Sequence, residues 1–218
     1  LSMLDIFNEN WSYESVFRYL KTGMTGISQA RIDQLENYVL ACGIRGSQWT
    51  NGQEWRMKPG LIPDEKRPEE QEKLLKAINE TRAMVVTPLM KFREKTKGRK
   101  KAADFCESLY DFLCELKVPE RIERSIEAFR KSGNLNLANE YSQVWNIVME
   151  LFDQIVEVMG DESVGIERFT NLLKIGINEY KIGLIPASLD QVLVGSLERS
   201  KSHEIKALLI LGANDGVF

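Results

Sequence analysis

From Pro68 almost to Gly183 the apolar residues of this chain recur every three to four positions, and nothing else in it restricts the fold so strongly. A stripe at that spacing runs down one face of an α-helix and has to be covered by another element. The run has clear punctuation. "PEEQEKLLKAINETRAMVV" opens acidic with Pro68 in its first turn, which suits the positive end of a helix dipole. Thr87-Pro88 then predicts an end or a kink, with a new helix after it, because proline has no amide to donate and its ring crowds the preceding turn. Phe105, Leu109, Phe112, Leu113 and Leu116 line a further helix. Pro119 opens the next, which carries Ile122, Ile126 and Phe129 and closes at Gly133. The longest predicted helix covers residues 135–159, with Leu137, Tyr141, Val144, Val148, Leu151, Phe152 and Ile155 in its stripe. A last one, near residues 165–180, shows Phe169, Leu172 and Leu173. These stripes predict core rather than cofactor-binding surfaces, and together they predict a helical bundle.

The two ends read differently. Ser12 is placed to cap a helix bearing Val16, Phe17 and Leu20, with Gly23 to stop it. A second helix starts near Ser28, follows Ile32, Leu35, Val39 and Leu40, and ends at Gly43. The stretch "GIRGSQWTNGQEWRMKPGLIPDEKRP" then breaks all periodicity, which predicts a loop and a domain border. Trp49 and Trp55 are expected to pin that loop to the body of the protein rather than to stand exposed for recognition. At the far end, residues 207–211 form an apolar run closed by Gly-Ala-Asn-Asp-Gly, which reads as a strand buried on both faces; residues 191–195 read as another. The predicted class is therefore mainly α, a helical bundle with a short β element at the C-terminus. Such strands need neighbours that the chain does not supply. Together with the opening Leu-Ser-Met, this gives the expectation that the chain is a piece of a longer protein.

Charge and special residues narrow the functions. The net charge of −3 argues against a protein that binds nucleic acid over its whole surface, while leaving room for a local patch. "KFREKTKGRKK", residues 91–101, is the one concentrated basic run; it reads either as a solvated helix end or as a phosphate-contacting patch. No apolar run approaches the roughly 20 residues that cross a bilayer, so no membrane partner is expected. Cys42, Cys106 and Cys114 show no C-x-x-C spacing, and Cys106 and Cys114 fall within a helical pattern; free core thiols in a reducing cytoplasm are expected. With His203 the only histidine, neither a His–Cys metal site nor a Ser-His-Asp site is expected, and His203 reads as a solvated turn residue. No glycine is followed by lysine, so the G-x-x-x-x-G-K-[ST] phosphate loop is absent and these residues are not expected to hydrolyse ATP.

The C-terminal stretch "SLERSKSHEIKALLILGANDGVF" resembles late motifs of superfamily 1 helicases of the UvrD/Rep/RecB type, a T-x-H-x-[AS]-K-G-L-E segment followed by an apolar strand ending in G-x-[ND]-[DE]-G-x-F-P. Ser196 stands at the threonine, Glu198 at the histidine, Ser200 and Lys201 at the serine and lysine, Ser202 at the glycine, His203 at the leucine and Glu204 at the glutamate. The Arg-Ser-Lys-Ser variation, with "VFRYLKTGMTGISQARIDQLENYVLACGIRGSQW" near the N-terminus, resembles the B-subunit family of the AddAB (RexAB) helicase–nucleases.

That resemblance implies a layout: residues 1–45 as a helical lead-in from a second RecA-like domain, 46–183 as an inserted helical (2B-like) subdomain, and 184–218 as the return strands of the truncated RecA-like domain. It implies work in DNA double-strand-break end processing and recombinational repair, an A subunit as partner, and DNA as a single strand or duplex end. It implies ATP, Mg2+ and an iron–sulfur cluster for the full-length protein, none of them held by this stretch. Ser196, Arg199, Ser200 and Lys201 are implied to meet DNA phosphates. Glu204 is implied to face the nucleotide cleft, with a salt bridge to Lys206 or Lys201 as the competing reading. The departures at Glu198 and Ser202 argue against ATP-coupled stepping. A helical protein–protein scaffold without DNA contact is the alternative.

Overall fold

The computed structural model describes residues 1–57 and 68–180. Helix α1 covers Ser2–Asn8, α2 Tyr13–Leu20 and α3 Gln29–Cys42, and a 3₁₀ turn follows at Gly46–Trp49. Next come α4 at Pro68–Lys95, strand β1 at Lys100–Lys101, α5 at Ala102–Glu115, α6 at Val118–Lys131 and α7 at Leu135–Met159. Strand β2 at Ser163–Val164 and α8 at Ile166–Glu179 complete the described part. The architecture is mainly α, as the periodicity predicts. The strands expected at 191–195 and 207–211, and with them the RecA-like assignment, lie outside the described residues.

Several helix ends follow directly from local chemistry. Ser12 Oγ accepts the Ser15 amide at 3.1 Å, satisfying one of the free donors that open α2. Gly43 takes the left-handed conformation (φ 62°) that closes α3, and the next amide, of Ile44, bonds back to the Val39 carbonyl at 3.0 Å. Pro119 sits in the first turn of α6, where its missing amide costs nothing. Helices α2 and α3 are clasped by Glu36, which accepts from Lys21 Nζ at 2.7 Å and Tyr13 Oη at 2.6 Å. Both bonds favour the ionised carboxylate, so Glu36 titrates below the usual carboxylate range.

Other expectations are corrected. Helix α4 continues through Thr87-Pro88, so it is the longest helix at 28 residues, ahead of α7 at 25. An interior proline costs about 3 kcal/mol. Val85, Leu89 and Phe92, all at most 2% exposed, flank it on one face, and burying side chains of that size is worth about 2 kcal/mol each, enough to hold the helix together. Leu40 lies outside the core at 57% exposure, because Tyr38 takes the buried face of α3 beside Leu35 and Val39. Cys106 is buried, and burial pushes its thiol up to about 12, whereas Cys114 is only half-buried. Helix α1 has no counterpart among the predicted helices: seven residues are too few to show a period, and it is held by burying Met3, Leu4 and Ile6. The same is true of the antiparallel pair β1–β2, in which Lys100 faces Val164 and Lys101 faces Ser163.

A single buried cluster runs from Met3 in α1 to Leu173 in α8, so the lead-in and the bundle share one core. Trp49 is fully buried in it, 5.1 Å from Trp55, 6.2 Å from Trp11 and 6.4 Å from Phe17 between ring centroids. The pinning role expected of Trp49 and Trp55 is what they perform. The clasp is Arg82 of α4. Its Nε donates to the Trp49 carbonyl at 2.9 Å, Nη2 to the Gln48 carbonyl at 3.0 Å and to Asn51 Oδ1 at 3.2 Å, and Nη1 to the Gln53 carbonyl. The guanidinium also lies 4.6 Å from the Trp55 ring centroid. Asn79 completes the clasp, accepting from the Trp55 amide at 2.9 Å and donating to its carbonyl at 3.0 Å. A second, smaller cluster of Val118, Ile122, Ile126 and Ala138 joins α6 to α7, with Met24, Phe129 and Tyr141 packed against it.

Two outcomes follow from this packing. Arg82→Met keeps much of the stem but takes the donor from the carbonyls of residues 49 and 53, that of residue 48 keeping Trp55 Nε1 at 3.0 Å, so unfolding free energy should fall by about 2–4 kcal/mol in denaturant titrations followed by tryptophan emission. A change below about 0.5 kcal/mol would show that the carbonyls find water instead. Pro88→Ala returns an amide donor to the middle of α4. Helix propensity gains about 3 kcal/mol, offset by up to about 1 kcal/mol of added unfolded-state entropy, so the urea midpoint should rise.

Candidate nucleic-acid interface

The basic run of residues 91–101 spans the end of α4, a turn and β1. Much of its charge is neutralised locally. Lys91 Nζ lies 2.8 Å from Glu115 Oε2 and Lys95 Nζ 2.7 Å from Asp111 Oδ2, both acids on α5. Lys101 Nζ lies 2.8 Å from Asp161 Oδ1. These bonds raise Lys95 and Lys101 above the usual lysine range and lower Asp161. Arg93 sits over the Phe7 ring at 5.6 Å, and Arg99 donates to the Ser163 carbonyl. Lys97 and Lys100 are exposed and have no carboxylate partner among the described residues. Three of the seven cations in the run are thus ion-paired along a seam between α4, β1 and their neighbours.

A second cationic feature goes unmarked by the sequence patterns above. Thr22, Gly23 and Met24, between α2 and α3, face Arg121, Arg124 and Ser125 of α6 and Tyr141 of α7 across an open cleft of about 290 Å³. Arg121 Nε donates to the Leu116 carbonyl at 3.0 Å. Its guanidinium occupies the space a side chain at position 26 would need: a Cβ on Gly26 would collide with Nη2. Arg124 Nε donates to the Glu120 carbonyl at 3.2 Å. Residues 121, 124 and 125 share a helix face by their i, i+3, i+4 spacing, which is the signal "RIERS" carries; the opposing wall comes from nearly 100 residues away.

A third feature, a cleft of about 340 Å³ beside Trp49, Asn79 and Arg82, is lined by the clasp itself. The guanidinium there already makes four hydrogen bonds to backbone and amide acceptors. Ser196, Arg199, Ser200, Lys201 and Glu204, the residues assigned from the motif, lie outside the described residues, as does His203. Among the described residues no group of three His, Cys, Asp or Glu side chains is arranged to hold a metal ion, and no helix is long and apolar enough to cross a membrane.

No family model matches the chain. Over its whole length it is 74% identical to the B subunit of the ATP-dependent helicase/deoxyribonuclease of Acetivibrio thermocellus and 60% identical to that of Ruminiclostridium cellulolyticum. The corresponding protein of Clostridium acetobutylicum is 52% identical over 219 aligned residues. The whole chain thus matches a segment of ATP-dependent helicase/deoxyribonuclease B subunits, and it spans about 19% of the length of these relatives.

The seam yields a stability test. Both the Lys91–Glu115 and Lys95–Asp111 pairs are solvent-exposed, so Asp111→Asn with Glu115→Gln should change unfolding free energy by less than about 1 kcal/mol. A loss of several kcal/mol in urea titrations would show instead that these pairs fasten α4 to α5.

Proposed function

We propose that the chain serves as a non-catalytic segment of a helicase–nuclease B subunit that processes double-strand DNA ends for recombinational repair in the bacterial cytoplasm. In this reading it contributes a path for DNA and contacts with the A subunit. The observation that carries it is whole-chain identity of 74% to a protein named as the B subunit of an ATP-dependent helicase/deoxyribonuclease. A protein that is one part of such an enzyme has a partner chain, a DNA substrate and a nucleotide to use.

The chemistry divides accordingly. ATP and its Mg2+ need a phosphate loop, which this sequence does not contain. An iron–sulfur cluster needs convergent thiolates. Cys42 lies on α3 while Cys106 and Cys114 lie on α5, and burial holds the thiols of Cys42 and Cys106 above the ordinary range, so these residues do not fit one. We assign those groups to regions of the longer protein outside this stretch. What the stretch offers DNA is hydrogen-bond donors and positive charge: Ser196, Arg199, Ser200 and Lys201 hold backbone phosphates without reading bases, and Glu204 faces the nucleotide cleft.

The scaffold reading keeps one specific support. The chain is acidic overall, and Lys91, Lys95 and Lys101 already have carboxylate partners. The two readings part in a gel shift with forked DNA at several salt concentrations, using the two-subunit enzyme. Arg199→Ala with Lys201→Ala should weaken binding equally for all sequences. It should also lower the single-strand salt slope by about 1.4, at roughly 0.7 per lost contact. An unchanged slope would favour the scaffold.

A further inference from the structure

Arg121 and Arg124 line one cleft, and none of the residues lining it is a carboxylate. Neither guanidinium has a salt-bridge partner among the described residues, although α6 also carries Glu120, Glu123 and Glu127. Two cations converging on a concave surface repel each other, and an anion between them relieves that repulsion. Arg121 is pre-set for this role. The Leu116 carbonyl holds its Nε, and the absent side chain at Gly26 (φ +77°) leaves the guanidinium its seat, so little rotamer freedom is left to lose on binding. The hydroxyls of Thr22 and Ser125 are already donating, to the carbonyls of Tyr19 and Arg121, which leaves the guanidinium N–H groups and the Tyr141 hydroxyl as the donors of the cleft. Guanidinium donors with no carboxylate beside them favour an anion, and a guanidinium fork matches phosphate oxygens.

We propose that this cleft is a seat for one backbone phosphate of the DNA that the helicase–nuclease handles. The proposal rests on the DNA reading given above and adds to it a contact on α6, far in sequence from the motif at residues 196–204. The seat lies where the α6–α7 pair meets the α2–α3 connection, with Met24 packed on the α6–α7 cluster from the other side. A phosphate held there bridges the two.

The test is binding of a fluorescent single-stranded oligonucleotide to the two-subunit enzyme, followed by anisotropy across a salt series. Arg121→Gln with Arg124→Gln should weaken binding about tenfold and lower the salt slope by roughly 0.7, one phosphate's worth. Because Arg121 also bonds the Leu116 carbonyl, Arg124→Glu is the second variant: its side chain makes only a bond within α6, so it should keep the wild-type circular dichroism and still lose affinity. If the enzyme binds DNA and both variants keep its affinity and slope, the seat is refuted while the DNA reading stands. If the variants lose the A subunit instead, with the slope unchanged, the cleft takes a partner carboxylate and the proposal falls. Should the wild-type enzyme show no salt-dependent DNA binding, the DNA reading itself fails and the seat fails with it.

Discussion

The described fold depends on a charge that is buried without a countercharge. Arg82 is 8% exposed, and its acceptors are three backbone carbonyls and one side-chain amide, all neutral. Burial lowers its pKa, yet a guanidinium starts so high that it stays protonated. Its stabilisation therefore comes from four hydrogen bonds made at once and from the face of Trp55, not from an ion pair. Without it the buried Trp49 would lose the partner of its carbonyl where the irregular segment after α3 lies against α4. Once that segment is fixed, Trp49 stands inside the core, and the aromatic residues Trp11 and Phe17 of the first turns gather on it. The described part of that loop, up to residue 57, packs into the same core as the helices before and after it.

This explains which parts of the fold are legible in the sequence. Ser12, Gly43, Pro119 and Gly133 act through their own backbone or the next few residues, so their effects can be read locally. The stripes of α5, α6 and α8 are legible for the same reason: each helix buries one face. Pro88 misleads because its local penalty is outweighed by contacts of Val85, Leu89 and Phe92 with residues far along the chain. The β1–β2 pair joins residues more than 60 positions apart and has too few residues to show alternation. Leu40 misleads because it fits the helical period, and only the position of the 46–57 segment decides that Tyr38 is buried in its stead; Tyr38 Oη donates to the Met57 carbonyl at 3.1 Å.

The same division holds for the functional residues. A run of basic side chains is visible in sequence, but its free charge is not. The acids that neutralise Lys91, Lys95 and Lys101 come from positions 115, 111 and 161. Conversely, Arg121 and Arg124 sit among glutamates in the sequence and look like one solvated face, while the cleft they line contains no acid. The motif at residues 196–204 is legible only through resemblance, because its meaning depends on strands and a nucleotide cleft that the sequence alone does not position.

A net charge of −3 is therefore a poor guide to whether this chain meets DNA. At physiological salt the screening length is about 8 Å, so a phosphate responds to the charges within one or two side chains of it and hardly to the total. What matters is whether a few cations stand together without local acids, on a part of the fold that binding can fix in place. The α6–α7 pair meets that condition. Its own cluster is small, and Leu113 and Leu116 are the partly buried residues that pack against it and the main core alike. The C-terminal half of α7 is anchored by Leu151, Phe152 and Ile155 in the main core, while α6 and the N-terminal half of α7 rest on the small cluster, a thin apolar tie where an added ligand contact has the greatest effect on position. An anion bound between Arg121, Arg124 and the Thr22–Met24 wall would add a polar tie beside that thin apolar one, coupling the placement of the helical pair to the presence of the strand.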